Sequence, residues 1–348
     1  MPVAVVHLQP RGSVVGAPPP SPTLYGALCW ATAVLYGEEQ AQAMAQELTC
    51  TDAFPLAHSG QGYTVRFFPM PVLPQPVTPL PERTLSHKQQ AVRQLNLFKR
   101  LKRARYLSEG LFTRYLQGDL SASTLADALQ EGQAVLRGNC LMLAQEAQDV
   151  GWTSRATAPL ASADVTRNEI DRWSLATAEG RMFLREETFF APGVGLWFGV
   201  HLPEEQMRLL PALLRYLEDT GVGGERSSGK GQFAFQLEEG SLALPQPASP
   251  DAWVSLSHYL PTPEEVKGWQ SAPRYTLVSW LARYESAFVG GQRVFKPLRR
   301  MLEPGSVFPL TERREVYGRL VRSGERLGHT VWVCGRALPA FAQRGGDL

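Results

Sequence analysis

Residues 203–237 read PEEQMRLLPALLRYLEDTGVGGERSSGKGQFAFQL, and this stretch decides the fold. Pro203, Glu204 and Glu205 suit the first turn of a helix, and Met207, Leu210, Leu214 and Leu217 then recur on one face until Gly221 stops it. Pro211 predicts a kink. Residues 232–237 follow as a short strand. Helix, glycine-rich loop and strand thus form one unit, and the rest of the chain is read outward from it.

Upstream, residues 195–202 and 181–190 are strand-like and predict a hairpin through Ala191-Pro192-Gly193-Val194. Residues 3–8 predict the first strand. Residues 23–48 carry Leu24, Leu28, Ala31 and Leu35 at helical spacing, with Thr23 as the expected cap. Six prolines within residues 69–81 mark a linker or surface loop, and residues 87–150 read as mostly helical. The resulting order, β, α, a long insertion, β, β, α, β, is the split βαβ or ferredoxin-like arrangement. Prolines 245, 247 and 250 mark a second boundary, and strands are expected at 253–260, 275–281, 307–310 and 330–333. The expectation is an α+β protein of two ferredoxin-like (RRM-like) domains. Residues 1–240 form the first, with a basic and helical insertion at about 50–180, and residues 251–348 form a degenerate second copy.

The 348 residues carry a net charge of +2, but that total hides an asymmetry. Residues 83–105 contain eight Lys or Arg (Arg83, Lys88, Arg93, Lys99, Arg100, Lys102, Arg103, Arg105) and no acid, leaving −6 for the rest. An ordinary helix surface would intersperse signs, so phosphates are the expected counter-charge. The start of the chain does not read as a targeting segment and no apolar run is long enough to span a bilayer, so a cytoplasmic location is expected.

Five glycines in residues 221–231 (Gly221, Gly223, Gly224, Gly229 and Gly231) suit a backbone that approaches phosphate oxygens, with Arg226, Ser227, Ser228 and Lys230 adding side-chain donors. Residues 224–230 fit the opening of a Walker A pattern, but Gly231 stands where a magnesium-binding hydroxyl is required, and the loop leaves a helix and enters a strand. A polynucleotide cradle is the better reading. Arg167, Asn168, Arg172 and Trp173 form a further mixed patch suited to RNA or a neighbouring subunit. The histidines and the four cysteines show no metal or catalytic spacing, so no metal, no cofactor and no catalytic group is expected.

The loop GVGGERSSGKGQF after a helix resembles the glycine-rich loop of the CRISPR-associated RAMP (repeat-associated mysterious protein) superfamily. Four more segments narrow the resemblance to the Csm subunit four family of type III-A effector complexes: TLYGALCW at 23–30, KRLKRARYLS at 99–108, RNEIDRWSLATAEGRMFLREETFF at 167–190 and KPLRRMLEPGSVF at 296–308. At Ser21-Pro22-Thr23 the family often has Ser-Asp-Thr, which leaves the cap of the first helix open.

The resemblance implies a non-catalytic subunit that caps the 5′ handle of the crRNA. Its implied partners are the large polymerase and nuclease subunit, the first backbone subunit, and target RNA near the handle. By matching motif, Gly221, Gly223, Gly224, Arg226, Ser227, Ser228, Gly229, Lys230 and Gly231 would approach handle phosphates, and Arg167, Asn168 and Arg172 would begin a thumb-like hairpin. Lys99, Arg100, Lys102 and Arg103 would add backbone contacts. The resemblance makes Gly305, Ser306 and Phe308 a second glycine-containing turn, structural or at the domain interface. A different class of function, a RAMP endoribonuclease that processes precursor crRNA, would use His7 or His58. The corresponding subunit of a type III-B or type I complex would keep the biochemistry and change the partners.

Overall fold

The computed structural model describes residues 3–74, 99–154, 158–170, 173–174, 176–269, 273–284, 295–326 and 329–344. The chain begins with β1 (Ala4–Pro10), β2 (Val14–Val15), α1 (Ser21–Tyr36), α2 (Glu38–Glu47), β3 (Thr49–Cys50), β4 (Phe54–His58) and β5 (Thr64–Pro69). Next come β6 (Tyr106–Ser108), α3 (Glu109–Leu116), α4 (Ala122–Glu131), β7 (Ala134–Arg137), β8 (Cys140–Leu143), α5 (Ala144–Asp149), β9 (Leu160–Ile170) and β10 (Thr177–Phe190). They are followed by β11 (Val194–His201), α6 (Glu204–Met207), α7 (Leu210–Thr220) and β12 (Phe233–Leu237). The last part holds β13 (Ala252–Ser255), α8 (Pro263–Gly268), β14 (Leu277–Trp280), β15 (Arg299–Leu302), β16 (Val307–Pro309), β17 (Tyr317–Arg326), β18 (His329–Ala337) and β19 (Pro339–Ala342).

The protein is α+β with a large mixed sheet, ordered β12-β1-β11-β4-β5-β6-β8-β7, with β3 also paired to β11. Alternation along its central strands sorts two cores. Val6, Leu8, Leu196, Phe198 and Val200 pack under α1 and α7, whereas Val5, Phe54, Leu56 and Trp197 join a cluster on the other side. Both faces of β11 are therefore covered, so all eight of its residues are buried and its sequence reads as an unbroken apolar run.

Three expectations need correction. Residues 181–190 and 195–202 form no hairpin: β11 pairs with β1, β3 and β4, while β10 pairs with β9 and β2. Both edges of β11 are already taken, so the chain changes sheets through 191–193, and the strand beside β11 is β3–β4, from the range read as insertion. The helix expected over 23–48 breaks at Gly37, whose φ of 88° belongs to glycine. Its cap is not Thr23; the Ser21 amide donates instead to Asp52 Oδ1 at 2.9 Å. The stretch read as mostly helical contains a β-hairpin, β7–β8, turning at Gly138-Asn139.

The strand expected over 253–260 is shorter, β13 at Ala252–Ser255, whereas the end of the helix before the glycine loop is as expected. α7 ends at Gly221 (φ 77°), and Pro211 sits in the first turn of a new helix after α6. β14, β15 and β17 with β18 make two small ribbons, and β13 lies between β16 and β19. Ala252, Val254, Leu256, Ala340 and Ala342 share one cluster with Phe54, Leu56 and Trp197, so the core continues across residues 240–251. The turn at Gly305 fastens this packing: its amide donates to Ser255 O at 2.8 Å, its carbonyl accepts from the Val72 amide at 2.9 Å, and Phe308 is fully buried.

Candidate nucleic-acid interface

The glycine loop has a closed base and an open crest. At the base, Val222 N donates to Gly231 O at 2.9 Å, and a Cβ on Gly231 would stand 2.0 Å from Val222 O. No other residue fits there. Gly224 is different: it has no positive φ, and a Cβ would meet nothing within 4 Å. Neither packing nor backbone geometry requires glycine at that position, which leaves bare backbone on an exposed crest as its distinguishing property. Ser227, Ser228 and Gly229 are also exposed, Arg226 is half-buried, and the Ser228 hydroxyl donates to Glu225 O at 2.9 Å.

The crest borders a groove of about 930 Å³. Val222, Gly223 and Gly224 form one stretch of its wall, the proline loop Pro18–Pro20 another, and Lys102 and Arg105 a third. The basic segment is positioned by its apolar residues: Leu101 and Ala104 are 7% exposed in the core, which turns Lys102, Arg103 and Arg105 outward. Lys99 and Arg100 are exposed as well. Among the described residues, Lys102 and Arg105 enter no ion pair. Arg83, Lys88 and Arg93 lie outside the described residues, as does Arg172.

The other wall carries groups the sequence did not connect. His258 Nδ1 lies 2.9 Å from Asp52 Oδ2, a pair 206 positions apart, and the imidazole lies 5.8 Å from the Trp280 ring. Burial disfavours the charged imidazole, but Asp52 and Glu303 outweigh it and raise its pKa above the usual 6.5.

Lys230 and Arg167 take a different course. Glu187 is 1% exposed, and it accepts from Lys230 Nζ at 2.7 Å, from Ser13 Oγ at 2.6 Å and from Arg167 Nη2. Burial alone would raise this carboxyl, but these three donors hold its pKa down at about 2. The network ties the base of the glycine loop, the residues before β2 and the β9–β10 arm to one point. Arg185 adds a second tie, 3.0 Å from Glu225 Oε1. Further out, Asn168 Nδ2 donates to Thr177 Oγ1 at 2.7 Å across the arm, and Trp173 is 97% exposed.

His7 and His58 also meet. Their ring centroids are 5.9 Å apart, and His7 Nε2 lies 2.8 Å from Glu238 Oε2, which Arg66 also approaches. Burial lowers both imidazoles below 6.5.

No family model matches the chain. The CRISPR system Cms protein Csm4 of Thermococcus onnurineus (strain NA1) is 29% identical over 183 residues, which make up 52% of this chain and 54% of that protein. Over that stretch the chain is similar to Csm4. The match spans about half the length of that protein. The fold is shared more widely. A Csm3-Csm4 subcomplex of the type III-A CRISPR-Cas interference complex superposes with a TM-score of 0.64 at 13% identity, covering 95% of this chain and 98% of that one. A Csm1-Csm4 cassette in complex with cA4 gives 0.60 at 18% identity, covering 99% and 98%.

Proposed function

We propose that this chain is a non-catalytic, Csm4-like subunit of a type III-A CRISPR effector complex, and that its groove holds the 5′ handle of the crRNA. The observation that carries the reading is the meeting of Gly223 and Gly224 with Lys102 and Arg105 along one groove, from segments about 120 residues apart. Single-stranded RNA held by its backbone needs close amides and unpaired cations, and its splayed bases need apolar and aromatic walls. The groove supplies both kinds of surface.

The central strand order β12-β1-β11-β4, with α1 and α7 on one face, supports a ferredoxin-like first domain, and we read the part from β13 onward as its degenerate companion. The proposed protein partners are the large subunit and a backbone subunit, as in the Csm1-Csm4 and Csm3-Csm4 assemblies that share the fold. The test is capture of handle RNA by Lys102→Ala/Arg105→Ala. Affinity falls, and the slope of log K against log salt flattens by about 0.7 for each phosphate that is no longer neutralised. Unchanged affinity and slope would remove the groove assignment.

A second reading rests on the approach of His7 to His58. Paired imidazoles can cleave RNA by general acid–base catalysis without metal. Incubation of the purified chain with repeat RNA in chelator decides it: a defined cut lost in His7→Ala supports an endoribonuclease, and intact RNA rejects one.

A further inference from the structure

The crest of the glycine loop carries a strained residue. Among the described residues, Glu225 is the one non-glycine with a positive φ, at 56°. L side chains avoid this left-handed region because Cβ crowds the following carbonyl, and such a conformation persists where its surroundings hold it. The loop has glycine at its other left-handed positions, Gly223 (φ 97°), Gly229 (φ 79°) and Gly231 (φ 64°), and a glutamate only here. Glu225 is held at both ends. Its carbonyl accepts from the Ser228 amide at 3.0 Å, from the Ser228 hydroxyl at 2.9 Å and from the Lys230 amide at 3.3 Å, which closes a single 3-10 turn over Arg226–Ser228. Its carboxylate lies 3.0 Å from Arg185 Nε. That N–H finds no acceptor in hydrogen-bond geometry among the described residues, so the contact acts through charge. Lys230 in turn is gripped by the buried Glu187 at 2.7 Å. Arg185 and Glu187 stand two positions apart on β10, hence on one face of the strand. One face of the arm therefore reaches both the side chain and, through Lys230, the carbonyl of the strained residue.

We propose that the β9–β10 arm sets the shape of the crest, with Arg185 and Glu187 as positioning residues that act on Glu225 and Lys230. Released from Arg185, Glu225 returns to the negative φ that its Cβ favours, and the crest backbone from Gly223 to Glu225 loses its course along the groove. The consequence for RNA rests on the handle-binding reading, whereas the hold of the arm on the crest is a property of the chain alone. A carboxylate so close to a phosphate-binding backbone is unfavourable by charge, and its pairing with Arg185 gives it a structural reason to be there. Arg185 thus differs from Lys102 and Arg105: it contributes shape and not a phosphate contact.

The experiment separates shape from charge with two substitutions that both remove the ion pair. Asparagine tolerates left-handed backbone and alanine does not. Both delete the same carboxylate, so its repulsion of phosphate cancels between them. Crest shape is read by hydrogen exchange at the Ser228 and Lys230 amides, and RNA capture by titration of the full chain with handle RNA, each variant verified as folded. Glu225→Ala exchanges faster at the crest than Glu225→Asn and binds on the order of tenfold more weakly, the cost of one left-handed residue. Arg185→Ala also speeds exchange and weakens capture about two- to fivefold, the range of a part-exposed ion pair, with an unchanged slope against salt. In the Glu225→Asn background, Arg185→Ala moves neither readout. Equal behaviour of Glu225→Asn and Glu225→Ala overturns the proposal. So does an Arg185→Ala that flattens the salt slope, or that still weakens capture in the Glu225→Asn background, because Arg185 would then touch phosphate directly. If exchange follows the predicted order but the unaltered chain captures no handle RNA, the arm-held crest stands and the handle reading falls. If Lys102→Ala/Arg105→Ala weakens capture while Arg185→Ala moves neither readout, the handle reading stands and the positioning role falls.

Discussion

Two groups of cations look alike in the sequence and are used in opposite ways by the fold. Lys102 and Arg105 project from a segment anchored by Leu101 and Ala104 and stand exposed at a groove. Lys230 and Arg167 converge on the buried carboxylate of Glu187. A lysine in a glycine-rich loop invites the phosphate reading, yet here its charge is spent on holding that loop to the arm. The difference teaches that a cation's neighbours in space decide whether its charge is spent inside the fold or left open at a groove.

The largest expected effect breaks the inner group. Glu187→Ala leaves Lys230 and Arg167 without their shared acceptor, and loss of hydrogen bonds to a charged group costs on the order of 1.5–3 kcal/mol. Urea denaturation of the purified chain measures the loss. Lys102→Ala/Arg105→Ala, by contrast, shifts stability by less than about 0.5 kcal/mol, as exposed positions do. A comparable midpoint shift in both variants would erase the distinction.

Glycine positions sharpen the same contrast between base and crest. Gly231→Ala pushes a methyl against Val222 O and destabilises the loop, whereas Gly224→Ala enters open space and leaves the melting temperature unchanged. If bare backbone at the crest matters for RNA, Gly224→Ala still weakens handle capture. Thermal melts beside binding curves separate the two.

A pH profile tests the inner group by its charge. The folded pKa of Glu187 is depressed to about 2 from an ordinary 4.5, so its contribution to stability is full above 4.5 and is lost as pH falls toward 2. His258 runs the other way: its folded pKa is raised, so its contribution is full below 6.5 and is lost as pH rises through the folded value. Denaturation across pH in Glu187→Gln removes the acid limb alone; an unaltered acid limb would show that other carboxylates dominate it.

Local pattern carried much of the fold. The faces of α7, its stop at Gly221, and strands β1 and β12 were legible because each depends on periodicity or glycine punctuation within a few residues. Pairing was not legible. Residues 181–190 look like a partner for 195–202 because they are adjacent in sequence, but the edges of β11 are filled by β1 and by β3–β4. The site was half legible. Glycine loop and basic segment each stood out by composition, and the groove joins them. Asp52 with His258, and Glu187 among ordinary strand residues, gave no local sign because their partners lie far away in the chain.

The most direct measurement is the salt dependence of handle-RNA capture in two variants, Lys102→Ala/Arg105→Ala and Lys230→Gln, both verified as folded. The predicted result is a slope flatter by about 0.7 per phosphate no longer neutralised in the first, with the slope of the second equal to that of the unaltered chain. A flattened slope in Lys230→Gln with an unchanged one in the groove variant would contradict the account.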